Sequence, residues 1–135
     1  MNPNLTLDDI SRTPRGGNIP FSDSIITDLL WSDPSDDHLG VQSNIKRWHT
    51  FGEDIVDSFL TRNNLSLLIR SHQVTMGGTR IHHHGKTITI YSAPLRNTWM
   101  KGAFVNVETL VQLTCRSFNA APYPKVSWTK YGFKK

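Results

Sequence analysis

Histidines are the residues of this chain that could most readily bind a metal ion, because a neutral imidazole is a common ligand of divalent transition metals. One of them, His72, follows the short apolar run Leu65–Ile69, which predicts a strand. A loop that leaves a strand is a place where a protein can hold an imidazole at a cleft. An isolated histidine after an apolar strand is more often a hydrogen-bonded structural residue, so spacing alone leaves both interpretations open.

A run of three histidines, His82–His84, is the other candidate for metal binding. On a strand, His82 and His84 would point to the same side. No cysteine or carboxylate lies at ligand spacing from them, so the pattern favours the exposed edge of a hairpin. Glycines at positions 77, 78 and 85 mark the turns of that hairpin.

The excess positive charge of the chain lies at its end. The net charge is +4 with an isoelectric point near 9.5, and four lysines fall within the last eleven residues. Aromatic side chains alternate with these lysines, a pattern that can stack on bases and neutralise phosphates. Short basic tails of this kind are common, however. We therefore expect a flexible tail over residues 123–135, and nucleic acid is not an expected partner.

The remaining composition indicates one folded domain. At 135 residues with 37% hydrophobic side chains, the chain can bury one core. Cys115 is the only cysteine, so no internal disulfide forms, and a reducing compartment, the cytoplasm or the nucleus, is the expected location. No apolar run reaches the roughly 18 residues of a membrane span, and no signal peptide is visible, so the sequence predicts no membrane association.

The hydrophobic pattern predicts a mixture of helices and strands. The apolar residues of 53–62 fall on one helical face and Asn63–Asn64 ends the pattern, which predicts a helix. Thr6 is positioned to cap a short helical turn, and an apolar element over 24–31 stops before Pro34. Residues 35–50 show no period, which predicts a long surface loop. Apolar and β-branched runs predict strands over 65–69, 87–91, 104–107 and 110–118.

Four short segments follow one another along the chain: LLWSDP at 29–34, TFGED at 50–54, LIRSHQV at 68–74 and TIYSAP at 89–94. In order and spacing they resemble four consecutive signatures of the phosphoprotein phosphatase family, the metal-dependent serine/threonine phosphatases. The resemblance spans roughly residues 3–122 and ends in FNAAP, and four collinear motifs are far more specific than one.

The resemblance implies hydrolysis of phosphoserine and phosphothreonine in proteins at a centre of two divalent metal ions, manganese, iron or zinc. It implies that His72, in its SHQ context, is a metal ligand and that Asp33 is a hydrogen-bonding residue near the cleft. The family's arginine that grips the substrate phosphate would be Arg47 in NIKRWHTFG if two residues are gapped, although a solvated loop charge fits Arg47 equally well. Phosphoprotein substrates and regulatory subunits are the implied partners.

Several signatures of that family do not occur in the sequence. The GDxHG, GDxxDRG and GNHE motifs, which carry most of the metal ligands, are absent, and Met1–Pro3 stands where the family's HGGLSP motif ends. The loop over 95–103 also departs from the family's NYCGEFDNAGA. One imidazole is too few to anchor two ions. The chain is therefore expected to lack most of the active site, to retain no metal pair by itself and to be inactive alone.

Taken together, the pattern and the resemblance predict the α/β (α+β) fold class. The expected architecture is an incomplete metallophosphatase fold over residues 1–122, supplying part of a central β-sandwich with flanking helices. Strand edges exposed in such an incomplete fold predict marginal stability. Two functions stay open: part of the catalytic domain of a serine/threonine phosphatase, or a non-catalytic pseudophosphatase module that binds other proteins.

Overall fold

The computed structural model describes residues 2–15, 25–43, 49–95, 99–109 and 112–122. The helices are α1 (Leu7–Arg12), α2 (Ile25–Trp31) and α3 (Glu53–Arg62), and a short 3-10 helix covers His83–Gly85. The strands are β1 (Asp33–Pro34), β2 (Val41–Ser43), β3 (His49–Phe51), β4 (Leu68–Arg70), β5 (Thr79–His82), β6 (Thr87–Ile90), β7 (Gly102–Thr109) and β8 (Gln112–Phe118). No helix among these residues is long and apolar enough to cross a membrane.

Helix α1 begins at a capping box. The Thr6 hydroxyl accepts a hydrogen bond from the backbone N–H of Asp9 at 3.1 Å, and the Asp9 carboxylate accepts one from the backbone N–H of Thr6 at 3.0 Å. These bonds satisfy two backbone donors that a helix start would otherwise leave without partners in the helix. The predicted cap at Thr6 is confirmed.

The buried core gathers around α3. Among the described residues, its cluster consists of six side chains: Leu5, Phe51, Ile55, Val56, Phe59 and Leu60. Four of them lie on α3 at helical spacing, so the predicted helix over 53–62 is confirmed. The helix ends at Asn63, whose side-chain amide donates to the carbonyl of Leu5 at 3.0 Å and to that of Phe59 at 2.8 Å. Asn63 thereby ties the residues before α1 to the end of α3.

The first sheet has the order β1-β3-β2, with β3 parallel to β1 and antiparallel to β2. β2 lies within the stretch 35–50 and β3 begins within it, so the prediction of one long loop is wrong there. All three side chains of β2 are exposed, and β3 has only three residues. Neither strand therefore shows the alternation of apolar and polar residues by which a strand is recognised.

The second sheet has the order β4-β6-β5, and its central strand β6 is parallel to β4 and antiparallel to β5. β5 and β6 form the hairpin that the glycine turns predict. Three of the four side chains of β6 are buried, whereas β4 begins three residues after the predicted start at 65. This register places Arg70 at the end of β4, next to the loop that carries His72.

The third sheet is the antiparallel hairpin of β7 and β8, which pairs Gly102 with Phe118 at one end and Thr109 with Gln112 at the other. The two predicted strands are confirmed over the described residues, and β7 is longer than predicted. Residues 110–111 of the strand predicted over 110–118 lie outside the described residues. The backbone N–H of Ala103 donates to the carbonyl of Tyr91 at 2.9 Å, which links this hairpin to the end of β6. The described residues thus form a mixed α/β fold of small sheets and short helices.

Candidate functional site

Arg70 joins the first two sheets through its guanidinium. Nη2 donates to the backbone carbonyl of Ser32 and to Oδ1 of Asp33, both at 2.8 Å, and Nη1 donates to Oε1 of Gln73 at 3.1 Å. The side chains of Arg70 and Asp33 are only 10% and 17% exposed. Because β1 begins at Asp33, this ion pair connects the end of β4 to the start of β1.

His72 lies two residues after β4 and faces Asp33. Its φ of +80° is in the left-handed region that residues other than glycine rarely adopt. Nδ1 lies 3.1 Å from Oδ1 of Asp33, and the ring is perpendicular to the indole of Trp31 with the centroids 5.0 Å apart. The turn of the backbone after β4 therefore brings the imidazole back to the carboxylate that Arg70 holds.

The contacts around His72 show which ring nitrogen carries the proton when the ring is neutral. The two hydrogens of Arg70 Nη2 serve the acceptors of Ser32 and Asp33 at 2.8 Å, whereas His72 Nδ1 lies 3.4 Å from that nitrogen. A carboxylate only accepts hydrogen bonds. The contact of 3.1 Å between Asp33 and His72 therefore places the N–H on Nδ1.

Burial and the neighbouring carboxylate act on Arg70 in opposite directions. Burial of the guanidinium lowers the pKa of Arg70, while the charge of Asp33 and the hydrogen bond to it oppose that shift. A guanidinium stays protonated in proteins all the same. Arg70 and Asp33 are therefore a charged pair, and removal of either partner would leave the other charge largely buried without its partner.

The described residues contain no group of three or more histidine, cysteine, aspartate or glutamate side chains that could hold a metal ion. His72 offers one imidazole, and the Asp33 carboxylate beside it is bound by Arg70. A metal ion in a catalytic site generally takes about three or more protein ligands. These side chains therefore suit one corner of a metal site, and they do not fit a pair of ions by themselves.

The three consecutive histidines do not form the exposed hairpin edge that the sequence favours. His82 and His83 are 4% and 2% exposed, while the His84 side chain is 87% exposed. β5 ends at His82, and the next two residues adopt φ values of +53° and +50°. Alternation would place His82 and His84 on one face only if the backbone were extended through the whole run, whereas the chain turns after His82.

Asp36 binds two residues of this histidine run. Its Oδ2 accepts from His82 Nδ1 and its Oδ1 accepts from the backbone N–H of His83, both at 2.9 Å. The bond from the His83 backbone is the main cause that lowers the pKa of Asp36. Burial lowers the pKa of His82, and the bond to Asp36 opposes that shift. The His83 ring adds contacts to Thr87 Oγ1 at 3.1 Å and to the Ser35 carbonyl at 3.0 Å.

The contacts of Asp36 with His82 and His83 form what we call the Asp36 clamp. A pocket of about 230 Å³ lies beside it, between residues 35–39, the start of α3 and the 3-10 helix. On its wall, Glu53 accepts hydrogen bonds from His84 Nδ1 at 2.8 Å and from Lys86 Nζ at 3.0 Å. The bond from Lys86, followed by that from His84, lowers the pKa of Glu53. His82 and His84 are thus bound to two different carboxylates rather than to a common point.

Two predictions fall on residues that the structure does not describe. Arg47, the candidate for binding the substrate phosphate, lies outside the described residues, as does the tail over 123–135. Within the divergent loop 95–103, residues 96–98 also lie outside them. These predictions stay predictions.

Sequence reasoning missed Arg70 and Asp36. For Arg70 a signal was present, because a charged residue follows an apolar strand directly and stands two positions before His72 in LIRSHQV. For Asp36 there was no local signal, since its partners are 46 and 47 residues away along the chain. Only the tertiary fold, which places the segment after β1 against the end of β5, brings the histidine run to that carboxylate.

Comparison with known proteins supports the resemblance read from the four motifs. Serine/threonine-protein phosphatase T of Aspergillus oryzae is 34% identical over 131 residues, which cover 95% of this chain and 27% of that protein. Human serine/threonine-protein phosphatase 5 is 34% identical over 130 residues, covering 94% and 26%. The serine/threonine-protein phosphatase 6 catalytic subunit of Drosophila melanogaster is 33% identical over 134 residues, covering 94% and 44%. None of the family models compared with the chain matches it.

A solved protein serine/threonine phosphatase from Saccharomyces cerevisiae has the same arrangement of backbone. It superimposes with a TM-score of 0.79 at 29% sequence identity, covering 93% of this chain and 43% of that chain. The chain thus spans less than half the length of each of these proteins. It is homologous to the serine/threonine protein phosphatases over most of its length and covers part of their catalytic domain.

Proposed function

We propose that this chain is part of the catalytic domain of a phosphatase that hydrolyses phosphoserine and phosphothreonine in proteins, and that His72 is one of its metal ligands. The observation that supports this most strongly is the geometry of His72. A residue other than glycine is held at a φ of +80° beside a largely buried ion pair, within a backbone similar to that of a phosphatase. Strained backbone of this kind is often found where a protein must position one functional side chain.

Two divalent metal ions, manganese, iron or zinc, would activate water and neutralise the phosphoryl oxygens. Within the described residues, His72 is the ligand that we propose. Those residues bring no group of three possible ligands together. The metal pair therefore needs donors in addition to them, and we propose that the chain by itself has negligible activity and retains no metal pair.

Arg47 is our candidate for binding the substrate phosphate. The proposal depends on its place in NIKRWHTFG, directly before the TFGED segment. A planar guanidinium can donate two parallel hydrogen bonds to phosphate oxygens, which suits it to hold a phosphate. The test is Arg47→Ala in an active chimera of this chain with a related phosphatase. A lower activity together with a higher Michaelis constant for the phosphopeptide would support this role.

A chimera tests the proposed function directly. Residues 3–122 would replace the matching segment of the Saccharomyces phosphatase, and hydrolysis of a phosphoserine peptide would be measured with manganese. We expect activity in the chimera, a loss of about 100-fold or more in His72→Ala, and little change in the control His84→Ala, whose side chain is 87% exposed. A folded but inactive chimera would contradict the catalytic proposal.

A non-catalytic module that binds other proteins, such as regulatory subunits, is the second candidate. It is favoured by the lack of a three-ligand group in the described part of the chain. It is also favoured by apolar side chains that the third sheet exposes, with Phe104 at 44% and Val107 at 63%. A folded, inactive chimera would favour this function. For either function, the cytoplasm or the nucleus stays the proposed location.

A further inference from the structure

Arg70 lies at the centre of the contacts that hold His72. Its guanidinium reaches three acceptors on two separate parts of the chain: the carbonyl of Ser32 and the carboxylate of its neighbour Asp33 on one, and the amide oxygen of Gln73 on the other. The carboxylate is in turn the acceptor for His72 Nδ1. The direct contact between Arg70 Nη2 and His72 Nδ1 is 3.4 Å, which is longer than an ordinary hydrogen bond. The link from Arg70 to His72 therefore runs through the Asp33 carboxylate.

We propose that Arg70 is a positioning residue for His72, acting through the Asp33 carboxylate that its guanidinium holds. The importance of this for catalysis rests on the proposed function, in which His72 binds a metal ion. The contact geometry itself does not depend on that function. Arg70 acts on the imidazole before any metal or substrate is bound.

An arginine suits this position better than a lysine would. The three acceptors are reached from two different nitrogens, Nη1 and Nη2, whose directions the planar guanidinium fixes. A lysine carries its three donors on a single nitrogen at the end of a flexible chain. It could keep the charge near Asp33, but it could not hold Asp33 and Gln73 at the same time from two fixed directions.

The proposal predicts how His72 responds to the loss of Arg70. Asp33 is 17% exposed, so its orientation depends on the partners within the protein. Without the guanidinium the carboxylate is free to turn away from His72, and the Nδ1–H would lose its acceptor. The neutral tautomer of a histidine is set by the hydrogen bond that one of its nitrogens makes. The population with the proton on Nδ1 should therefore decrease.

Nuclear magnetic resonance of the full chain measures this population without any metal. At about pH 8.5, the ring ¹⁵N and ¹³Cδ2 shifts of His72 report its tautomer, with His72→Gln used for assignment. We expect mainly Nδ1–H in the wild type and a decrease by roughly half or more in Arg70→Gln. Arg70→Lys should give a smaller decrease. The matched control Arg80→Gln, at an exposed arginine of β5, should give none.

A double variant separates positioning from a general structural effect. If Arg70 acts through Asp33, Arg70→Gln should change nothing further in an Asp33→Ala background. Unchanged amide shifts in α3 show that the variants are folded, and Arg70→Lys provides the measurement if Arg70→Gln unfolds. An unchanged Nδ1–H population in a folded Arg70 variant, or an added effect in the Asp33→Ala background, would overturn the proposal.

The outcome is distinguishable from failure of the proposed function. A tautomer change together with an inactive chimera would support Arg70 as the residue that positions His72 and contradict the phosphatase function alone. An active chimera that depends on His72, together with an unchanged tautomer in Arg70→Gln, would overturn the role of Arg70 alone.

Discussion

Single carboxylates hold the loops of this protein to its strands. Asp33 receives Arg70 from the end of β4 and His72 from the loop that follows. Asp36, three residues further on, receives His82 and the backbone of His83. The short segment after α2 is therefore fixed to the second sheet at two points, and a change at either carboxylate should be felt in the loop that it holds.

Replacing Asp36 by alanine should destabilise the protein by about 1–3 kcal/mol, because a buried imidazole N–H and a backbone N–H would lose their acceptors together. Its neighbour Asp37 is the matched control, since it is also exposed and its carboxylate has no hydrogen-bond partner among the described residues. Asp37→Ala should change stability by less than about 0.5 kcal/mol. Urea unfolding followed by tryptophan fluorescence measures both. Equal effects of the two substitutions would show that the Asp36 clamp is not a stabilising feature.

Stability should decrease as the pH is lowered below 6.5, the ordinary pKa of histidine. Burial lowers the pKa of His82 on folding, so the unfolded chain binds more protons than the folded chain between that lowered pKa and 6.5. Asp36, Arg80 and His83 are the charged or titratable groups that act on His82. The pKa of Asp36 is lowered, chiefly by the hydrogen bond from the backbone of His83, so its own contribution is lost only in more acidic solution.

The measurement is urea unfolding at about pH 7.5 and about pH 5.5, on either side of the histidine pKa. His82→Gln should reduce the difference in stability between the two conditions, while the exposed control His84→Gln should leave it nearly unchanged. A wild-type protein that is more stable at the lower pH, or an undiminished difference in His82→Gln, would contradict this interpretation.

At the scale of elements, the short strands depend on the residues between them. The turn before β5 contains Gly78, whose φ is +84°, and packs against the start of β7. A Cβ on Gly78 would lie 2.6 Å from the backbone of Gly102, whereas a Cβ on Gly77 would have no atom within 4 Å. Two adjacent glycines of one turn thus have different roles.

Gly78→Ala should destabilise the protein by at least about 1–2 kcal/mol, the cost of a left-handed residue with a side chain, and contact with the backbone of β7 should add to that cost. Gly77→Ala should be nearly neutral and serves as the control. Thermal unfolding of the two variants measures the difference. If Gly78→Ala were as stable as Gly77→Ala, the described packing of this turn on β7 would be wrong.

At the scale of the whole chain, local patterns predicted the helix α3, strand β6 and the two strands of the third sheet, whereas β4 begins three residues later than predicted and β5 had no strand prediction of its own. The apolar face of α3 and the β-branched run of β6 carry their own periodic signal in the sequence. β2 carried none, because all its side chains are exposed. The bend in the histidine run and the Asp36 clamp could not be predicted either, since the hydrogen bonds between Asp36 and these histidines join residues about 47 positions apart in the sequence.

The candidate site was predictable only in part for the same reason. The motif LIRSHQV indicated His72 and the resemblance indicated Asp33, but the ion pair of Asp33 with Arg70 depends on how β1 and β4 are placed in two different sheets. Homology explains why the motifs persist in order, because the chain aligns with phosphatases over most of its length. It does not by itself supply the donors that a metal pair requires.

The number of metal ions that the isolated chain retains shows whether His72 needs donors from outside the chain to complete a metal centre. The 135-residue chain would be incubated separately with manganese, ferrous iron and zinc, desalted, and analysed by elemental mass spectrometry. Because His72 is one imidazole beside a carboxylate that Arg70 already binds, we expect fewer than about one ion per chain. Retention of two tightly bound ions per monomeric chain, lost in His72→Ala, would contradict the claim that His72 is one corner of a centre that other donors complete.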